Sequence, residues 1–167
     1  FASTHPNIGA VVPQLLNNNG SPQASVFRFP SIINAIKKDF FGCKNCFGKY
    51  LPKKIIQKVD VAVMAAMLIP KSTFAQIGNL DERFFLYYED VEFCSRMHKA
   101  GLPLYYFPDS TVKHLHGASG RFTSHLNSPL LASSKVYDGK TYSRLLNLTL
   151  WVGHKWQVIL RGKKFRD

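Results

Sequence analysis

The sequence predicts an α/β fold, and three patterns carry that expectation. An apolar stretch near the start, Ile8 to Leu16, reads as a strand. A longer run, VDVAVMAAMLIP from Val59 to Pro70, is β-branched at its start and apolar on both faces, as a strand in the interior of a sheet is. Ser31 to Phe41 and Asp90 to Ala100 show helical spacing instead. With 167 residues, 46% apolar and 13% aromatic, the chain has the composition of one globular domain with a sizeable core.

The elements follow in order. FASTHPNIGAVVP opens like the last turn of a helix, passes His5-Pro6 and enters the first strand. Such an opening, on Phe1 rather than Met, is expected of an excerpt of a longer protein, with half of any active site outside it. Asn17 to Ser21, NNNGS, is a turn of residues that tolerate positive φ. After a loop from Pro22 to Pro30, Ser31 stands as a possible N-cap, and Ile32, Ile33, Ile36 and Phe40 give the helical stripe. Residues 42–58, rich in Gly, Lys and Pro, read as an exposed insertion. The buried strand ends at Pro70, and a short helix follows, Ser72 to Ile77, with Ser72 placed to cap it and Gly78 to end it. In the helix from Asp90, Phe93, Met97 and Ala100 form a core stripe, Glu92 and Arg96 pair at i, i+4, and Gly101 with Pro103 ends it. Leu104 to Phe107 and Ser110 to His116 read as two short strands split by Pro108-Asp109. Residues 121–167 read as a basic C-terminal extension, with Tyr142 to Trp156 as an amphipathic helix before RGKKFRD.

Charge and cysteine content narrow the function. The formal charge is +12, spread unevenly: residues 1–60 hold eight Lys/Arg against two acids, residues 61–120 five against six, and residues 121–167 nine against two. Basic flanks suit nucleic acid, anionic lipid or phosphorylated substrates, and a solvated basic surface is the plain alternative. A nucleic-acid-binding module would use aromatics beside cations, as in Phe27-Arg28-Phe29, but no recognition motif appears and the best-patterned third is acidic, so no nucleic-acid partner is expected. No run approaches the roughly 18 apolar residues of a membrane span, and no secretory leader opens the chain, so an intracellular, soluble protein is expected. Three cysteines fit a reducing compartment. Cys43 and Cys46 make a C-x-x-C, the pattern of a redox motif or half a zinc site, but no second pair and no nearby His complete a zinc shell, and a Gly-flanked surface turn is the simpler reading.

The acids are concentrated. Five of the ten, Asp81, Glu82, Glu89, Asp90 and Glu92, fall within twelve positions, three of them behind the apolar run FFLYY. Glu89 and Asp90 sit at a helix N-terminus, where the macrodipole and free N–H groups favour a carboxylate, and Asp90 as a cap accounts for that much. An apolar approach also desolvates a carboxylate and raises its basicity toward that of a general base. Downstream, TVKHLHGASG places His114 and His116 on one face of a strand, with Gly117 to Gly120 letting the backbone turn close to a ligand. Two histidines there point to a divalent metal or phosphate site, against the plain reading of satisfied structural residues.

Together these residues carry a resemblance. Asn79 to Ser119, NLDERFFLYYEDVEFCSRMHKAGLPLYYFPDSTVKHLHGAS, resembles the C-terminal half of the catalytic domain of family 2 glycosyltransferases, in particular the rhamnosyltransferase-like members. Their pattern is a buried strand and short helix, then G-G-F-D-E-x-F-F-x-Y-x-E-D-x-D/E, a helix ending in A-G, and a P-x-a-x-v-x-H-x-x-G-x-S close. HPNIGAVVPQLLNNNGSPQASVFRFPS is similar to a segment further upstream in the family. The resemblance spans about residues 5–120. It implies the C-terminal, acceptor-side half of a Rossmann-like GT-A fold in residues 1–120, lacking the N-terminal nucleotide-binding half, and transfer of a sugar from a nucleotide-sugar donor to a glycan or lipid-linked acceptor.

By the same resemblance Asp90 is the candidate base of an inverting transfer, with Glu89 raising its basicity or holding acceptor hydroxyls. Asp81, Glu82, Tyr88 and Arg96 are then candidate acceptor- or donor-binding residues. His114 aligns with the closing His of the pattern and would help hold a metal or the donor diphosphate, whereas His116 lies outside it. Hard carboxylates with imidazole suit Mg²⁺ or Mn²⁺. The family's D-x-D is absent, since the aspartates at 39, 60, 81, 90, 109, 138 and 167 are never two apart, and this chain by itself is expected to be inactive. Met64-Ala65 replaces the usual G-A pair of the buried strand, and Gly78-Asn79-Leu80-Asp81-Glu82 replaces G-G-F-D-E. A non-catalytic homologue kept for assembly is the alternative. Trp151 and Trp156 before the basic end suggest peripheral attachment to an anionic membrane at the inner face of the plasma membrane, against a solvated tail.

Overall fold

The computed structural model describes residues 1–84, 86–115 and 127–161. A 3-10 turn, Ala2–Thr4, stands where the sequence suggests the end of a helix, and the first strand runs as β1, Ala10–Leu16. The next elements are β2, Val26–Phe27, α1, Ile32–Phe41, β3, Gln57–Val59, and β4, Val61–Ala62. Helices α2, Lys71–Ile77, and α3, Glu89–Lys99, precede β5, Leu104–Lys113. Two helices close the described chain, α4, Asn127–Asp138, and α5, Lys140–Arg161. The expected α/β architecture is present: a mixed sheet of order β1-β5-β3 has β1 parallel and β3 antiparallel to β5, beside a two-stranded β2-β4 ribbon. Its core joins Val12, Val61, Phe93, Met97, Leu104 and Tyr106, with the Tyr106 hydroxyl donating to Gln14 Oε1.

Local chemistry explains most helix ends. Ser31 caps α1 as expected, its Oγ accepting from Asn34 N at 3.1 Å, and Gly42 closes the helix at φ 70°. Gly78 ends α2, but Ser72 does not cap it: the helix starts a residue earlier, and Pro70, which has no side-chain acceptor, occupies the cap. Asp90 is likewise inside α3 rather than at its cap, which is Tyr88. The α3 stripe is buried through Val91, Phe93, Cys94 and Met97, and Arg96 Nε donates to Glu92 Oε1 at 2.7 Å.

Three expectations change. The run from Val59 to Pro70 is not one strand. Val59 pairs with Leu104 in one sheet, the chain crosses at exposed Asp60, and Val61–Ala62 pair with the ribbon. Leu68 then returns to exchange two 2.9 Å backbone bonds with Val11. Apolar residues on both faces are thus accounted for by a change of sheet. The two short strands after Pro103 are instead one, because Pro108, Asp109 and Ser110 bulge out where Pro13 and Gln14 shift register and pairing resumes at Thr111. Within residues 42–58 most side chains are exposed, but Cys46 is buried, Cys43 and Cys46 are joined as a disulfide, Tyr50 bridges to Val26, and Gln57–Lys58 begin β3.

The C-terminal helices pack onto the rest. The predicted helix from Tyr142 is extended at both ends as α5, and α4 precedes it across Gly139, whose φ of 80° makes the break. Ser134 and Ser143 hydroxyls meet at 2.9 Å between the two, and Gln157 Nε2 donates to Asp39 Oδ1 of α1 at 3.1 Å. Asp39 is 3% exposed and sits against Gly153 of α5. Gly153→Ala is expected to destabilise the protein by about 1–3 kcal/mol, since the added methyl carbon would lie 2.6 Å from Asp39 Cβ. Urea melts read this directly; a gain of about 1 kcal/mol, the ordinary result for Gly to Ala inside a helix, would show that α1 and α5 do not meet there.

Candidate functional site: a carboxylate at the mouth of helix α3

The approach to α3 is made of aromatic side chains in an unusual backbone. Phe84 is buried, and Tyr87 and Tyr88 both hold left-handed conformations, φ 67° and 70°. Non-glycine residues pay about 1–2 kcal/mol each for that region, and such strain gathers at sites where position matters. Packing holds the turn in place. The Tyr88 ring lies 5.5 Å from that of Tyr137 on α4, and Ser133 Oγ donates to Leu86 O at 3.0 Å.

The turn delivers Asp90 to a cavity of about 360 Å³. One wall is Phe27, Arg28 and Pro30, a second is the Phe47–Lys49 loop, and Tyr87, Tyr88 and Val91 frame the carboxylate. The far wall belongs to the last two helices: Leu130, Leu131 and Ser134 from α4, then Leu146, Asn147 and Leu150 from α5. The site is therefore an apolar chamber with one acid, two cations and a few hydroxyl and amide groups.

Asp90 is pushed up from 3.8 to about 6, first by burial, next by the neighbouring Glu89 charge. Its Oδ1 accepts from Val91 N at 2.8 Å, and that bond and Lys49 work the other way. Glu89 Oε2 is buried with no hydrogen-bond partner among the described residues. Burial also drives Asp138, at the end of α4, up to about 6, and raises the Tyr88 hydroxyl, with Asp138 and Asp90 adding to the effect. Cys94 behind them, pushed up to about 12 by burial, is a packed thiol. A carboxyl near 6 beside an apolar cavity is a competent proton acceptor at neutral pH.

Of the residues singled out by sequence, Asp90 and Tyr88 line the cavity and Glu89 adjoins Asp90. Asp81, Glu82 and Arg96 do not line it. Asp81 chelates exposed Arg83 at 2.6 Å, whose guanidinium lowers it to about 2, and Glu82 is exposed. Arg96 fastens α3 to the end of α2, donating to the carbonyls of Ile77 and Asn79 as well as to Glu92. His114 lies at the far end of β5, its Nδ1 2.7 Å from Gln23 Oε1 and its N–H bonded to Leu16 O. His116, Gly117–Gly120, Phe85 and residues 162–167 of the basic end lie outside the described residues.

Arg28, Lys49 and the leucines of α4 and α5 belong to the cavity without having been singled out from sequence. For α4 a signal existed, in Pro129 at a first turn, Leu130, Ser134 and Tyr137 at helical spacing, and Gly139 as a stop. As to a divalent metal, the donor set here falls short. Among the described residues no group of three or more His, Cys, Asp or Glu is placed to hold an ion, and Glu89 and Asp90 offer only two adjacent carboxylates.

Because folding raises the Asp90 carboxyl from 3.8 to about 6, its contribution to stability is whole below about pH 4 and is lost as pH climbs through about 6. Asp90→Asn is therefore expected to leave stability near pH 4 unchanged and to raise it by about 1–3 kcal/mol near pH 8. Asp138 titrates in the same window in both proteins and cancels from the difference. Paired urea melts at the two pH values check this, and an equal effect at both would remove the burial argument.

No family model matches. The chain is 31% identical over 134 residues to an N-acetylglucosaminyl-diphospho-decaprenol L-rhamnosyltransferase of Mycobacterium tuberculosis, covering 75% of this chain and 44% of that protein. It is 31% identical over 103 residues to a low-salt glycan biosynthesis hexosyltransferase of Haloferax volcanii, 58% of this chain and 29% of the relative. To a rhamnosyltransferase of Escherichia coli it is 27% identical over 132 residues, 72% and 49% respectively. The chain spans less than half the length of each. The resemblance read from residues 5–120 thus holds: these relatives are rhamnosyltransferases and a hexosyltransferase of the family 2 type, and the chain matches part of their length.

Proposed function

We propose that the protein to which this chain belongs transfers a sugar, rhamnose or a similar hexose, from a nucleotide-sugar donor to a glycan or lipid-linked acceptor, with inversion and with Asp90 as general base. The observation that carries this reading is the half-buried Asp90 carboxyl at the cavity, raised to about 6. In the step, an acceptor hydroxyl gives its proton to the Asp90 carboxylate as its oxygen bonds to the donor's anomeric carbon. The bond from that carbon to the nucleoside diphosphate breaks on the opposite side and carries away the electron pair. Glu89 keeps Asp90 basic by its charge. Tyr87 and Tyr88 exclude water along one edge of the acceptor.

The cavity suits an acceptor with an apolar part and an anionic part. The leucine wall of α4 and α5 would take a lipid segment, and Arg28 and Lys49 would face a phosphate group. The name of the mycobacterial relative, a diphospho-decaprenol glycoside transferase, has both parts. A divalent ion, Mg²⁺ or Mn²⁺, is proposed only for the whole protein, and no step is routed through it here, since among the described residues no group of three or more His, Cys, Asp or Glu is placed to hold one. The chain alone is proposed to be inactive, and the reaction belongs at the cytoplasmic face of a membrane.

The test uses the intact protein with a panel of nucleotide sugars and a lipid-linked acceptor, reading release of nucleoside diphosphate. Asp90→Asn is expected to lower kcat about 10²–10⁴-fold with a much smaller change in KM. Wild-type kcat/KM is expected to rise with pH and level off above about 6. Full activity in the Asn protein removes Asp90 as the base, and no release from any donor in the wild type favours a non-catalytic homologue.

A further inference from the structure

The outer face of the α1–α5 pair does not belong to the cavity. On α5 the residues Leu145, Leu148, Val152, Trp156 and Ile159 recur three or four apart and form one exposed stripe, with Ile159 at 74% exposure. Beside it α1 presents Ile33, Ile36 and Phe41, the last 79% exposed. The two stripes meet: Ile36, Phe40 and Phe41 share a shallow groove with Leu148 and Val152, and the Phe40 and Trp156 rings lie 5.6 Å apart. A continuous apolar pad of this kind, borne on two helices, is more than the scattered surface leucines of an ordinary domain.

The charge around the pad is of one sign. Helix α5 contains no Asp or Glu, and the sole acid of α1, Asp39, is turned inward against Gln157 and Gly153. Lys37, Lys140, Arg144 and Lys155 are exposed on the same two helices, and Lys155 lies over the Trp151 ring at 5.9 Å. Tryptophan bodies with cationic neighbours are suited to the boundary between head groups and acyl chains. No helix among the described residues is long and apolar enough to cross a membrane.

We infer that the α1–α5 face is a docking surface for an anionic lipid bilayer, with α5 lying in the plane of the head groups. Sequence had located such attachment in Trp151, Trp156 and the basic end. The structure moves it onto the described helices and adds α1, which no sequence feature had connected to α5. The opposite side of α5 lines the cavity through Leu146, Asn147 and Leu150, so one helix faces the bilayer and the cavity at once. The inference does not rest on the transfer reaction.

The intact protein is sedimented with phosphatidylcholine vesicles that contain or lack phosphatidylglycerol. Binding is expected to the anionic vesicles alone and to weaken as salt rises from about 0.1 to 0.5 M. The double substitution Leu148→Ser with Ile159→Ser, at exposed positions that leave the core intact, is expected to reduce partitioning about 10-fold or more, and Lys155→Glu to reduce it severalfold. Equal binding of the double variant and the wild type would overturn the inference. So would equal binding to neutral and anionic vesicles, or a dimer in solution that the double variant dissociates, which would make the pad an interface between two copies.

Discussion

Tyr87 and Tyr88 hold the backbone in the left-handed region directly before α3, and the arrangement of the cavity follows from how that turn is kept. Alone it costs about 1–2 kcal/mol per residue. It persists because Tyr88 packs against Tyr137, Phe84 is buried below, and Ser133 holds the Leu86 carbonyl. Two of those three contacts come from α4. The C-terminal helices therefore do two things at once: they brace the strained entry to α3, and they form the leucine wall of the chamber into which that entry turns Asp90.

The electrostatics of Asp90 are a contest with a clear winner. Its place in the first turn of α3 stabilises a negative charge by about 0.3–1 kcal/mol through the helix dipole, and the Val91 N–H and Lys49 act in the same direction. Burial and the Glu89 charge oppose them and prevail, since the carboxyl ends near 6 rather than below 3.8. A residue placed only to cap a helix would be left where the dipole and solvent both favour its charge. Asp81 illustrates the contrast: hydrogen-bonded by exposed Arg83, it is lowered to about 2.

Local signals in the sequence were read well where one interaction decides the structure. Ser31 caps α1, the Glu92–Arg96 pair forms, and the acidic mouth of α3 is where the helical stripe puts it. Long-range pairing was not legible. Nothing local in VDVAVMAAMLIP says that the chain leaves one sheet for another at Asp60, and Pro108 reads as a strand break until β1 is seen to continue past the bulge. The cavity was half legible for the same reason. Asp90, Glu89 and Tyr88 are neighbours in sequence and were found together, whereas Arg28, Lys49, Leu131 and Leu150 reach the site only by tertiary packing. Arg96 drew notice as a charged residue near the acids, yet its guanidinium is consumed by backbone carbonyls at the end of α2.

Burial in this chamber makes Asp90 a base near neutrality. A carbon-detected NMR titration of the Asp90 side-chain carboxyl in the intact protein, assigned by loss of the signal in Asp90→Asn, tests it most directly. A midpoint near 6 is expected. A midpoint at the ordinary aspartate value of 3.8 or below would contradict it and would leave Asp90 as a dipole-stabilised carboxylate at a helix end.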